Sequence, residues 1–285
     1  MVQTNCPHLE KLNFISNQIG LDGCEELGKI GALKHLKSLR LDNCEISDEA
    51  CMHLGNLSNL TTLGLYRNSI GDEGCKFLSN GNLPKLKRLF LSHNKIGNEG
   101  CKHLGMNSKN LPELEELTLL HNTINDEGCK YLSELSNLTS LSVGDDCSND
   151  SCMYFTKKLH RLKRVNMSTS TKIDGSGFTR LMTQLSQLTS LDLSKSKVND
   201  DDIASIHLDY FKKIETLKLR YCTHITDQTS QYLIEHAQYF TNLKVLYASE
   251  ISNEQKMTLR SKFPDLYFDH LPRRVYPFMY FNVHE

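Results

Sequence analysis

The stretch Leu60–Ser79, LTTLGLYRNSIGDEGCKFLS, holds two periodicities in twenty residues. Leu60, Leu63 and Leu65 follow an L-x-x-L-x-L spacing whose end alternates apolar with other residues, as a short strand with one buried face does. Asn68 and Ile70 then lead to Asp72, after which Cys75 and Leu78 fall three residues apart, on one face of a helix. A strand, a turn and a helix therefore fit into one short segment. Cys75, next to an acidic pair, is either a reactive thiol or a core side chain.

The rest of the chain separates those two readings, because the segment recurs. The L-x-x-L-x-L stretch begins at residues 9, 36, 60, 86, 114, 138, 162, 188, 214 and 243, with spacings of 27, 24, 26, 28, 24, 24, 26, 26 and 29. A period of this size marks a solenoid, in which each unit is too small to bury its own leucines and stacking supplies the core. Cys24, Cys51, Cys75, Cys101, Cys129 and Cys152 occupy one phase of successive units, and Phe178 and Ile203 take it in the next two. A position that accepts Cys, Phe or Ile is an inward-facing apolar position, where free cysteine behaves as a small hydrophobe. Cys75 thus reads as packing.

These motifs resemble those of the leucine-rich-repeat family over about Leu9 to Phe268. The strand–loop–helix unit is most similar to the ribonuclease-inhibitor-like class, although its period is a little short; short-period bacterial and protist variants match equally well. The resemblance implies an α/β solenoid of about ten repeats, a horseshoe with a concave parallel sheet and convex helices. It is read as one domain over residues 1–285, with repeats over about 9–250 and a C-terminal cap and tail over about 251–285. After the strands come Asn17, Cys44, Asn68, Asn94, Asn122, Ser170, Ser196 and Cys222, suited to satisfy backbone groups where the chain leaves the sheet. Asp48, Asp72, Asn98 and Asp126 are placed to cap the helices they begin. Between strand and helix, GDDCSNDSC is one residue short and STSTKIDG one residue long, which predicts a local distortion around 144–175 without a domain break.

Catalytic and metal chemistry find no support in the motifs. There is no G-x-S-x-G, no G-x-x-x-x-G-K-[ST] and no H-E-x-x-H, and no cysteine pair has C-x-x-C spacing. No catalytic residue, metal site or cofactor is expected. With 33 basic and 34 acidic residues, the chain has no overall attraction for nucleic acid. No apolar run approaches the roughly 18 residues of a membrane span. MVQTNCPHLEKLNF lacks the pattern of a signal peptide, so the ten cysteines imply a reducing compartment, cytoplasmic or nuclear.

The family resemblance places binding of a partner protein on the concave face. Between the strand leucines, Arg40, Tyr66, Arg67, Arg88, Phe90, His93, Leu120 and His121 form a first patch, with the arginine, aromatic and apolar composition of interface hot spots. Lys218, Arg220, Tyr221 and Tyr247 form a second. His93 and His121 share a phase in adjacent repeats and are expected to be neighbours. Two alternatives follow from the resemblance. CTHITDQ at 222–228 is similar to repeats of F-box leucine-rich-repeat proteins, which would make the chain the substrate-recognition part of a ubiquitin-ligase adaptor, with the F-box supplied elsewhere. The Ran GTPase-activating protein has similar repeats, but no catalytic Asn or Arg maps onto a motif here. At the N-terminus, Leu9, Leu12 and Phe14 begin the first strand with nothing patterned before them, so either residues 1–8 make a minimal cap, another protomer covers that edge, or the chain derives from a longer protein. At the other end, ISNEQKMTLRSKF reads as a last helix, PDLYFDH as a closing strand and RRVYPFMYFNVHE as a folded-back cap.

Overall fold

The computed structural model describes residues 8–29 and 33–268. Ten three-residue strands form one parallel sheet in chain order: β1 (Lys11–Asn13), β2 (Ser38–Arg40), β3 (Thr62–Gly64), β4 (Arg88–Phe90), β5 (Glu116–Thr118), β6 (Ser140–Ser142), β7 (Arg164–Asn166), β8 (Ser190–Asp192), β9 (Thr216–Lys218) and β10 (Val245–Tyr247). Each is centred on the second aliphatic residue of its L-x-x-L-x-L stretch, and these central residues pair in register from Leu12 to Leu246. The sheet runs through the irregular sixth and seventh repeats unbroken.

A helix follows each strand: α1 (Gly20–Lys29), α2 (Asp48–Leu54), α3 (Asp72–Asn80), α4 (Asn98–Met106), α5 (Asp126–Leu132), α6 (Asn149–Lys158), α7 (Gly175–Gln184), α8 (Asp200–Ser205), α9 (Asp227–Glu235) and α10 (Asn253–Lys262). Sheet leucines and helix side chains enclose one continuous core. The six laddered cysteines, with Phe178 and Ile203, are fully buried within it. The described cysteines are free thiols, and burial raises that of Cys24 to about 12 and that of Cys75 well above the ordinary value. The thiolate is the reactive form. In the native protein these laddered thiols are therefore expected to react with a thiol reagent only as fast as the repeats open. Labelling at full speed before denaturant is added would show that the ladder is not core.

The asparagine ladder works between repeats. Asn68 Oδ1 accepts from the backbone N–H groups of Cys44 (2.9 Å) and Ile46 (3.0 Å), and its Nδ2 donates to Leu41 O (2.9 Å). Asn94 and Asn122 repeat the pattern one and two units on. Where cysteine stands in this position its thiol takes over the donation to a carbonyl: Cys44 Sγ donates to Phe14 O (2.9 Å) and Cys222 Sγ to Leu193 O (3.3 Å).

The acidic residues at the helix starts behave differently from the expectation. Asp48, Asp72, Asn98 and Asp126 are the first residues of their own helices, and the preceding residues are the caps. Their side chains reach forward to cap the helix of the following repeat. Asp48 Oδ1 accepts from Gly71 N–H (2.6 Å); Asp72 Oδ1 accepts from Gly97 N–H (2.7 Å) and Gly100 N–H (2.8 Å); Asn98 Oδ1 accepts from Asn125 N–H (3.2 Å) and Gly128 N–H (3.1 Å). Asp200 and Asp227 continue this toward the C-terminus. The orphan donors of one helix thus depend on its predecessor, which couples neighbouring repeats. The second glycine of each GDEG-like start leaves room for the incoming oxygen: a Cβ on Gly100 would stand 2.7 Å from Asp72 Oδ1.

Asp126 shows the electrostatic side of this device. Burial favours its neutral form, but the hydroxyls and N–H groups of Ser148 and Ser151 outweigh that and hold the carboxyl below its ordinary value. A folded-state value below the unfolded one gives stability that is present above the unfolded value and lost as pH falls through the folded one. Asp126→Asn is therefore expected to cost about 1–2 kcal/mol near neutral pH, and less only once pH has fallen well below the ordinary carboxyl value, through the lowered folded-state value, where the native carboxyl is protonated as well. Urea unfolding in both pH ranges measures this, and an unchanged difference between them would refute the cap's charge dependence.

The sixth repeat shows how the short connection is absorbed. In most repeats the N–H of the second residue after the strand pattern donates to a backbone carbonyl of the next repeat, as Arg67 does to Ser92 O (3.0 Å) and His93 to Leu120 O (2.8 Å). At Asp145 this N–H donates to the hydroxyl of Thr169 (3.2 Å), which donates in turn to Asp145 Oδ1 (2.9 Å). In the following turn Ser170 Oγ is buried with no partner among the described residues. At the ends, Leu9, Leu12 and Phe14 pack partly buried against the core. The expected closing strand is a single bridge, from Tyr267 to Val245. The expected cap over 273–285 lies outside the described residues.

Candidate partner-binding face

Strand residues on either side of each central leucine point away from the helices, so the sheet has an open face. Just beyond it lies a row of backbone outliers. Ser16, Asn43, Arg67, His93, His121, Asp145, Thr169, Lys195 and Tyr221 all have φ between 55° and 75°. Each is seven residues past the first leucine of its repeat, and each costs about 1–2 kcal/mol as a non-glycine residue in the left-handed region. The turn is a property of the repeat; what varies is the side chain it presents at the end of the sheet.

Four members of the first patch come together there. The rings of Tyr66 and His93 meet edge to face at 4.9 Å, and those of His93 and His121 stack at 4.1 Å with a 37° tilt. Arg67 lies against the Tyr66 ring, its Cζ 5.5 Å from the centroid. His121 Nδ1 is 3.7 Å from Asp145 Oδ1. Burial first, then repulsion from the neighbouring imidazole of His121 and the Arg67 guanidinium, keeps the imidazole of His93 below its ordinary value, against the pull of Asp145.

The other members are placed differently. Arg40 is bound to the buried carboxylate of Asp42 (Nη2–Oδ2 2.6 Å), which also accepts from Tyr66 N–H (2.8 Å). It extends across Gly64, where a Cβ would stand 2.4 Å from its Nε, and brings its guanidinium 5.5 Å from the Phe90 ring. Leu120 similarly fills the space over Gly144. Phe90 and Leu120 are each only 9% exposed, so they offer less area than apolar residues on an open face would. Arg88 is exposed, with Nε donating to Thr62 Oγ1 (3.1 Å). In the second patch, Arg220 Cζ lies 4.1 Å and Lys218 Nζ 5.4 Å from the Tyr247 ring, and Tyr221 is 61% exposed.

Asp145, Thr169 and Gly64 shape the face without having been expected to, and Gly144, a strand-face position, shapes it by the side chain it lacks. Their signal was positional: Asp145 and Thr169 hold the phase of His93 and His121, and the glycines hold phases occupied by side chains in other repeats. Among the described residues no cluster of His, Cys, Asp or Glu could hold a metal ion, and no helix is long and apolar enough to cross a membrane.

Five stretches of the chain match the family described as Leucine Rich repeat: residues 5–28, 32–55, 56–79, 82–105 and 111–133. With ten strand–turn–helix units in one parallel sheet, the chain belongs to the leucine-rich-repeat proteins. No curated protein sequence matches it significantly. Among solved structures it is similar to an internalin from Listeria monocytogenes, at 18% identity and a TM-score of 0.46, over 93% of this chain and 88% of that one.

Proposed function

We propose that the chain is a non-enzymatic protein-binding module whose partner lies across the open face of the sheet at repeats two to five. The observation that carries this reading is the Tyr66–His93–His121 ladder with Arg67 beside it. Its rings are held by one another and by a fixed backbone turn, so a partner meets a surface whose ordering cost is already met. Aromatic and arginine side chains are also the types that dominate interface energetics. A helix in every repeat supports the ribonuclease-inhibitor-like class, and buried free thiols support a cytoplasmic or nuclear setting. The adaptor and GTPase-activating alternatives rest on family resemblance alone.

Affinity capture from cell extract tests the reading. A Tyr66→Ala, His93→Ala double variant is expected to lower recovery of the captured protein at least about tenfold, and Phe90→Ala with Leu120→Ala to lower it less. Undiminished recovery by the first variant, with an unchanged melting curve, would place the interface elsewhere.

A further inference from the structure

Charge on the open face is unevenly neutralised. Arg40 is held by Asp42, Arg164 lies 3.8 Å from Glu116, and Lys218 lies 3.8 Å from Asp192. Arg67 and Arg88 are different: both are exposed, and among the described residues each is positioned by a neutral partner, the Tyr66 ring and the Thr62 hydroxyl. The strand carboxylate opposite Arg88 in register is Glu116, and its Oε2 lies 3.8 Å from Arg164 Nη2, so among the described residues no ion pair neutralises either of these two guanidinium groups.

Their placement sets a length. Arg88 pairs in register with Thr62 at the start of β3 and β4, whereas Arg67 follows β3, five residues beyond Thr62. Full extension at about 3.3 Å per residue would put the two positions roughly 16 Å apart along the strand direction, and the left-handed turn at Arg67 brings them somewhat closer. Tyr66 lies next to Arg67 and contacts His93, so aromatic surface fills part of the interval. One small anion cannot reach both cations. A polyanion needs a continuing line of positive charge, and Glu116 and Asp145 interrupt any such line in the following repeats.

We infer that repeats three and four bind an extended acidic segment of a partner protein, with one carboxylate on Arg67, a second four or five residues away on Arg88, and a side chain between them against Tyr66 and His93. This rests on the open-face reading above. Carboxylates suit both ends because guanidinium presents paired donors to two oxygens, and complementary charge selects partners and orients the encounter.

An array of random decapeptides probed with the purified chain at fixed salt tests the inference. Bound sequences are expected to be enriched in pairs of Asp or Glu four or five residues apart. An Arg67→Gln, Arg88→Gln variant is expected to bind them at least about tenfold more weakly, and Arg67→Glu, Arg88→Glu to abolish binding. Should the doubly acidic variant fail to fold, the glutamine variant decides alone. Bound sequences without acidic enrichment, enrichment unchanged in the glutamine variant, or no bound sequences at all would overturn the inference. Hydrogen exchange with a bound peptide separates the two readings: protection on β3 and β4 without acidic preference sinks only the acidic segment, whereas protection confined to the helices sinks the open-face reading itself.

Discussion

Replacing Gly105 by alanine is expected to destabilise the protein by about 2–3 kcal/mol, although alanine is the better helix former. In an unencumbered helix interior the change gains up to about 1 kcal/mol. Gly105 lies in the last turn of α4, where a Cβ would stand 2.2 Å from the backbone oxygen of Tyr131 and 2.8 Å from its carbonyl carbon. That oxygen is in α5 and accepts from Glu134 N–H, so it cannot turn aside as a side-chain end would. The helices must separate, which strains a packed core by about 1–3 kcal/mol or more and loosens the Asn98 bonds that cap α5. In a solenoid the damage falls on one interface between neighbours. Urea unfolding should therefore show a loss of cooperativity between repeats four and five as well as a melting temperature lower by roughly 5–10 °C. Gly23→Ala is the comparison in α1, since its closest contact would be a side-chain atom, Cγ2 of Ile19 at 2.5 Å, where Gly105 meets backbone. It should cost clearly less than Gly105→Ala. If the two variants melt together, close helix approach is not what Gly105 is for.

The contrast between these glycines shows what the sequence could and could not reveal. Period and phase were visible: ten leucine stretches give ten strands, and one cysteine phase gives one buried row. Partners were harder, because a repeat of about 26 residues places the same groups both beside a residue and one unit away. Asp72 at the start of its helix satisfies every local rule for capping α3, yet its carboxylate reaches α4, where Gly97 and Gly100 leave room for it. The open face failed for the same reason. Phe90 and Leu120 have the look of exposed apolar residues when read singly; their covering comes from the arching Arg40 and from the gap at Gly144 in other repeats. The histidine contact was legible because it needed only equal phase in adjacent units. Its aromatic extension to Tyr66 was less so, since Tyr66 lies one residue off that phase.

Phase has a second limit, and it gives the other large expected effect. Phe178→Cys would install the residue that six earlier repeats carry at that position, and consensus substitution usually stabilises a repeat. Here it is expected to cost about 2–4 kcal/mol. Glycines beside the cysteine row let successive helices close up on the preceding cysteine as far as α7: a Cβ on Gly128 would stand 3.3 Å from Cys101 Sγ, and one on Gly177 3.2 Å from Cys152 Sγ. Phe178 is therefore at the last helix packed in this way and faces the next one. Beyond it α8 is only six residues long, Asp200–Ser205, and covers less of α7 than α4 covers of α3. The four largest fully buried side chains, Phe155, Phe178, Phe211 and Phe240, all lie in the C-terminal half of the chain, and the last two stack at 4.8 Å. Cysteine at 178 would leave a void about the size of a ring, because its neighbours are held by the sheet and cannot collapse fully. Denaturant unfolding with Cys75→Ala for comparison makes the test sharp: removing one sulfur from a tight site should cost about 1 kcal/mol, clearly less than restoring the consensus thiol in a wide one. If Phe178→Cys proved neutral or stabilising, the junctions on either side of α7 would share one helix spacing, and the change from cysteine to phenylalanine along the row would need another cause.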